Sequence, residues 1–279
     1  MIKWLWRGAL GVAGIALLGA GGAYAASEWI IRQHYDAPYP AIVADRSAAG
    51  VAEGDRLTEI FFCQGCHGEH GEGEVIEDVP GAKAVAPGFA SIAATHSDAE
   101  IARAIRYGVG KDGHQMYVMP VQLVGKLADR DIAQMIGWIR TVRATPKDMT
   151  IGGMAWTPAA RYALLTGKLD GKARTRVDAP KDRPADMGMY VVNGSCQQCH
   201  RLHVANSLGD QMAPPLAPVA ASYDPAAFHR LLKTGVGLTP GDLGWMSWAA
   251  KGHLKYLTDA EIDQIHAALK REQAGYPAQ

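Results

Sequence analysis

The chain has four cysteines, and all four fall within two copies of one five-residue pattern. The first copy joins Cys63, Cys66 and His67 in "FFCQGCHGEH"; the second joins Cys196, Cys199 and His200 in "SCQQCHRLH". No cysteine remains for a disulfide between distant segments, so each pair must do local work. Two copies of one local device imply two similar folded units. At 279 residues the chain is long enough for both.

The N-terminus fixes the side of the membrane on which that device operates. Lys3 and Arg7 precede twenty uncharged residues, Gly8 to Ser27, and Glu28 closes the run. A short positive segment followed by an apolar stretch of this length reads either as a transmembrane anchor or as a secretory signal cut after "AYA" at Ala23–Ala25. The run exceeds a usual signal core, and "WII" at Trp29–Ile31 extends it with an interfacial tryptophan, which favours the retained anchor. Both readings hold the N-terminus in the cytoplasm and export the rest. Lys and Arg together equal Asp and Glu at 28 each, so the charge balance offers nothing to nucleic acid.

In an exported chain, Cys-x-x-Cys followed at once by His is the attachment pattern for covalent haem. Both thiols add to the vinyl groups of the ring, and His67 or His200 then lies over the iron. A four-cysteine zinc site would leave two identically placed histidines unexplained. A thiol-redox pair expects a βαβ setting that the sequence lacks.

The duplication is visible beyond the motifs. "VAPGFASIAATHSDAEIARAIRYGVG" (Val85–Gly110) aligns without a gap to "MAPPLAPVAASYDPAAFHRLLKTGVG" (Met212–Gly237), every position offset by 127. This repeat selects the second iron ligand in each unit. Met246 lies eleven residues after Gly235, and the same step from Gly108 reaches Met119. Met116 has no counterpart and reads as a packing residue. A thioether favours reduced iron and raises the potential of a histidine-ligated haem. His114 and His253 stand as rival ligands. His70 and His203, each three residues after a proximal histidine, read as surface histidines.

Helices are expected at "DRLTEIFF" and "DMGMYVVN" before the motifs, and at "SDAEIARAIRYG" and "DPAAFHRLLKTG" in the repeat. A third pair follows at "ADRDIAQMIGWIRTV" and "TDAEIDQIHAALKRE". No alternating strand pattern is evident, so the expected class is all-α. The Gly/Glu-rich "GEHGEGEVIEDVPG" reads as a surface loop.

With these residues in place, each half resembles a small class I cytochrome c, and the whole resembles the membrane-anchored diheme cytochromes c of bacteria. The resemblance implies two tandem domains at 56–143 and 186–272, after an anchor at 1–31 and a tether at 32–55, with a linker at 144–185 and a tail at 273–279. It implies two covalently attached haem c groups, held by Cys63, Cys66, His67 and Met119 and by Cys196, Cys199, His200 and Met246. It also implies that the Pro87 and Pro214 carbonyls face the proximal histidines and that the terminal helices of each unit cross. Trp138 is the expected aromatic of the last helix, where the second unit has Ala268; Met119 is followed by proline and Met246 by serine, which predicts a softer second methionine loop. The function implied is electron transfer, not enzymatic catalysis, at the bacterial inner membrane with the haem domains in the periplasm. Partners would be a dehydrogenase, a cytochrome b–c complex or a terminal oxidase. Two other readings stay open: a diheme peroxidase-like enzyme with one open iron, and a membrane-tethered haem sensor.

The linker carries eight basic and four acidic residues, whereas 57–143 carries eight basic and eleven acidic. It reads as a solvated connector, or else as a strap folded back over the acidic first unit. Arg103 with Arg230, and Arg106 with Lys233, recur in both units. They read as propionate partners or as solvated helix faces.

Overall fold

Three polar side chains open helices as the sequence predicts. Ser97 and Thr258 each cap the backbone N–H three residues on, and Glu100 and Glu261 return the bond to complete capping boxes. Asp224 accepts from the Ala227 N–H in the same way. The structure is a computed structural model and describes residues 2–79, 82–169, 171–209, 211–239 and 241–276.

Helix α1 (Ile2–Ile31) leads into the first unit. That unit contains α2 (Ala48–Ile60), α3 (Cys63–His67), β1 (Gly73–Val79), β2 (Ala82–Pro87), α4 (Phe89–Thr95), α5 (Asp98–Tyr107), α6 (Val121–Val124) and α7 (Asp129–Ile139). The linker contributes β3 (Gly153–Met154) and α8 (Pro158–Leu165). The second unit contains α9 (Gly188–Gly194), a 3₁₀ turn at Cys196–Gln198, β4 (Asn206–Leu208), β5 (Gln211–Ala213), α10 (Leu216–Ser222) and α11 (Pro225–Thr234). It ends with α12 (Trp245–Gly252), a 3₁₀ turn at Leu254–Tyr256 and α13 (Asp259–Gly275). Most of the expected tail therefore continues α13 or, at 277–279, lies outside the described residues.

The first and last helices of each unit cross at a glycine. A Cβ on Gly54 of α2 would lie 2.0 Å from the Gln134 carbonyl oxygen of α7, and one on Gly188 of α9 would lie 2.3 Å from that of Gln264 in α13. Only a residue without a side chain lets the backbones approach this closely. The buried faces merge into one apolar core that runs through both units, from Leu57, Phe61 and Ile132 to Val191, Ile262 and Leu269.

Two features depart from the sequence reading. The fold is mostly helical but not purely so, because the Gly/Glu-rich stretch forms strand β1, which pairs antiparallel with the following β2. β3 of the linker then pairs with β2, placing Ala84 opposite Met154. The second unit has the shorter hairpin β4–β5.

The linker, for its part, is not a solvated connector. The Met149 amide bonds to the Glu72 carbonyl and the Met149 carbonyl receives the Gly88 amide, while Gly171 and Arg174 donate to Tyr117 and Tyr107. It is a strap across the acidic first unit.

Candidate haem sites

In the first unit α2 ends at Ile60, and Phe62 turns the chain through the left-handed region at φ 61 before α3 begins. A bulky residue there is strained. The turn sets Cys63, Cys66 and His67 on a single short helix. The His67 Nδ1 lies 2.7 Å from the Pro87 carbonyl oxygen. A carbonyl only accepts, so Nδ1 must donate, and Nε2 keeps its lone pair. Burial pushes this imidazole below the usual histidine value, against the opposing pull of the carbonyl. The ring stacks on Phe89 at 4.5 Å, and Phe89 meets Trp138 edge-on at 5.5 Å.

The second motif repeats the chemistry in a different local conformation. Cys196–Gln198 form a 3₁₀ turn, and His200 Nδ1 again lies 2.7 Å from a proline carbonyl, that of Pro214. Burial lowers this imidazole as well. Leu216 occupies the place that Phe89 holds behind His67. Ala268, at the position matching Trp138, is buried against Gly188.

No disulfide joins Cys63, Cys66 or Cys196. Burial pushes the Cys63 and Cys196 thiols up to about 12 and raises Cys66 too. A thiol-redox pair needs its thiolate near neutral pH, and these shifts run the other way. Among the described residues no three His, Cys, Asp or Glu side chains gather as ligands for a bare ion. A porphyrin brings four nitrogens of its own and asks of the protein only axial donors and anchoring thiols. The residues present fit that group: a neutral imidazole held by a carbonyl, two adjacent thiols, and a thioether.

Met119 and Met246 are half-buried and rest, with Cys63 and Cys196, against the common apolar core. Met116 lies outside it, its carbonyl against Gly171 of the strap. The rival histidines are engaged elsewhere. His114 lies against His34 with ring centroids 4.2 Å apart, and its Nδ1 is 3.1 Å from Asp112. His253 is buried, and its Nδ1 is 2.6 Å from Glu59 of the first unit. His70 is exposed as expected, whereas His203 bonds to Glu272 and stacks on Tyr276 at 3.7 Å.

Two of the four repeated cations, Arg103 and Arg106, do not lie on a solvated helix face. Arg103 is buried and donates to the Tyr35, Ala37 and Gly110 carbonyls; Arg106 is buried and donates to those of Gly125 and Leu127. In the repeat, half-buried Lys233 donates to the Lys255 and Leu257 carbonyls, whereas Arg230 is exposed and reaches the Gly237 carbonyl only at 3.4 Å. They are braces for the loops that carry the methionines.

Ser247 is another brace, which sequence reasoning missed. Its buried hydroxyl donates to the Gly235 carbonyl at 3.1 Å and accepts from the Leu243 amide at 2.9 Å. The serine that replaces proline after Met246 thus ties the loop at two points, and Met246 itself lies in the first turn of α12. The two sites also adjoin. Phe62, beside Cys63, stacks with Trp248 of α12 at 6.1 Å and 26°, and His253 packs edge-on against both.

An imidazole aimed by a carbonyl beside a Cys-x-x-Cys pair, in a helical unit whose end helices cross, defines a covalent haem domain. Residues 51–143 match the family model of cytochrome c, and this match supports a haem-based electron-transfer role for the first unit. No curated protein matches the chain.

Proposed function

We propose that the chain is a membrane-tethered diheme c-type cytochrome that relays single electrons between periplasmic redox partners. The observation that carries this reading is the pair of 2.7 Å contacts, His67 to the Pro87 carbonyl and His200 to the Pro214 carbonyl. Two identically oriented imidazoles beside two identical thiol pairs call for two copies of one cofactor.

Haem, when bound, supplies a one-electron iron couple. The chain's residues do the rest. Cys63 with Cys66, and Cys196 with Cys199, fix the ring covalently. The proline carbonyls lock each histidine tautomer and make Nε2 a stronger donor. Met119 and Met246 would each hold an iron through their thioether sulfur, and with that donor in place no position would be left for a substrate, which favours a carrier over a peroxidase-like enzyme. The adjacency of Phe62 and Trp248 supports exchange between the two centres within one molecule. Donor and acceptor are expected to be a dehydrogenase and a cytochrome b–c complex or terminal oxidase.

Helix α1 is long and apolar enough to cross a membrane, with its hydropathic window fully exposed. That supports an anchor in the inner membrane with both haem units on the periplasmic side.

The test is stoichiometric. Two haems per chain should survive denaturing electrophoresis, and Cys63→Ala with Cys66→Ala should remove one of the two in a pyridine haemochrome assay. A single haem in the intact protein would overturn the diheme reading.

A further inference from the structure

Residues 3–26 of α1 are solvent-exposed apart from half-exposed Gly14, and the first buried residue is Ser27. What buries Ser27 is α8 of the strap. Arg161 donates to the Ser27 hydroxyl at 2.7 Å and to the Glu28 carboxylate at 2.6 Å, and its guanidinium lies 4.2 Å from the centre of the Tyr24 ring. The far side of α8 is fixed to the first unit through Ala163, which packs with Tyr117, Leu169 and Ala84. The Tyr117 hydroxyl in turn donates to the Ile30 carbonyl. The exit of α1 is therefore clamped in a rigid seat.

We propose that α8 and the last turns of α1 form a collar that sits in the headgroup layer of an anionic bilayer. The inference rests on the reading of α1 as a retained anchor. Position is the first argument. A bilayer's hydrocarbon takes about 20 helical residues, and the uncharged run Gly8–Ser27 supplies them. Tyr24 to Glu28 then lie at the boundary, and these are the residues that Arg161 touches. Whatever covers the bare surface of α1 must meet α8 where that surface ends.

Composition is the second argument, independent of the first. The outward row of α8 carries Tyr162, 62% exposed, and Leu165, 40% exposed, one helical turn apart. On α1 Trp29 is 68% exposed. Aromatic rings with an apolar body and a polar tip favour the membrane–water interface. Lys168 follows, its ammonium 5.4 Å from the Tyr162 ring centre, and exposed Lys172 comes next. Cations at this depth are attracted to acidic phospholipid headgroups, which matches the net positive strap against a net negative first unit.

The test uses the full-length holoprotein in nanodiscs of phosphatidylglycerol mixed with phosphatidylcholine. A nitroxide is placed by Leu165→Cys and, as a control, by Lys251→Cys on α12. The collar predicts that the label at 165 collides readily with oxygen and loses most of its collisions with a water-soluble nickel chelate, while the label at 251 keeps them. Lys168→Glu with Lys172→Glu should restore chelate collisions at 165 without releasing the protein from the disc. A label at 165 as aqueous as that at 251, in protein that stays in the disc, overturns the collar and leaves the face to a protein partner. Protein that fails to enter the disc overturns the anchor and the collar together.

Discussion

Met119→Ala is expected to open one haem of two. The iron of the first site should lose its sulfur-to-iron charge-transfer absorption, turn partly high-spin when oxidised, and bind carbon monoxide or cyanide. Its midpoint potential should fall by a sizeable part of the roughly 0.8 V that axial ligands command, because the lost thioether favours ferrous iron. The second site should keep its potential and spectrum. Met246→Ala should produce the mirror result, and Met116→Ala, whose residue lies outside the shared core, should produce neither. Redox titration of the three variants beside the wild type checks all of this. Wild-type protein already high-spin at the second haem and turning over peroxide would replace the carrier with the enzyme.

Arg183→Ala should cause the largest loss of stability. Asp131 is fully buried, and its carboxylate takes two bonds from Arg183, at 2.7 and 2.9 Å, and one from the Tyr190 hydroxyl at 2.6 Å. Arg183 also reaches Glu53 at 2.9 Å, and Arg56 links Glu53 to Glu261 of the second unit. Removing the guanidinium strands a buried carboxylate and breaks one side-chain tie between the strap and the first unit. Breaking one side of such a pair costs about 3–5 kcal/mol, and at about 2–4 °C per kcal/mol for a chain of this size the midpoint should fall by at least about 6 °C. Tyr190→Phe should cost less, since Asp131 keeps its charge partner.

The same network gives the interface a pH dependence. Burial raises the Glu53 and Glu261 carboxyls, but hydrogen bonds from Arg56, with Arg183 at Glu53 and Thr258 at Glu261, outweigh it and hold both below the ordinary glutamate value of 4.5. Their folded-state values are depressed, so the contribution is complete above pH 4.5 and is lost as acid protonates them. Thermal melts across pH 3–6 should show the wild type losing this increment on acidification, and the Glu53→Gln, Glu261→Gln variant should show a flatter profile.

The parts of this molecule legible in sequence are those whose causes are local. The caps at Ser97, Asp224 and Thr258 need only residues three apart, and the Cys-x-x-Cys-His motif carries its own geometry. The 127-residue offset between units singles out Met119 and Met246 without any coordinates. What stayed hidden depends on distant partners. "GEVIEDV" has no strict alternation, and the hairpin it forms carries a third strand at Gly153–Met154. Arg103 and Arg106 carry the periodicity of a solvated face, yet the carbonyls that draw them inward lie in loops. Ser247 matters through Gly235, twelve residues back, and nothing in "WMSW" announces that bond. Charge counting points to a solvated connector and misses the strap, because the linker's contacts to Glu72 and Gly88 are made by main-chain atoms.

The strap has a consequence for how the protein is made. Its Met149 holds the Gly88 amide, one residue beyond the carbonyl that aims His67. Met149 and Gly153 leave the ribosome after every part of the first unit that they fasten. A nascent chain therefore presents its first Cys-x-x-Cys-His on a half-closed scaffold, with the hairpin still lacking its third strand. The first unit reaches its final form only once the strap has closed over it, whatever the rest of its sequence has already folded.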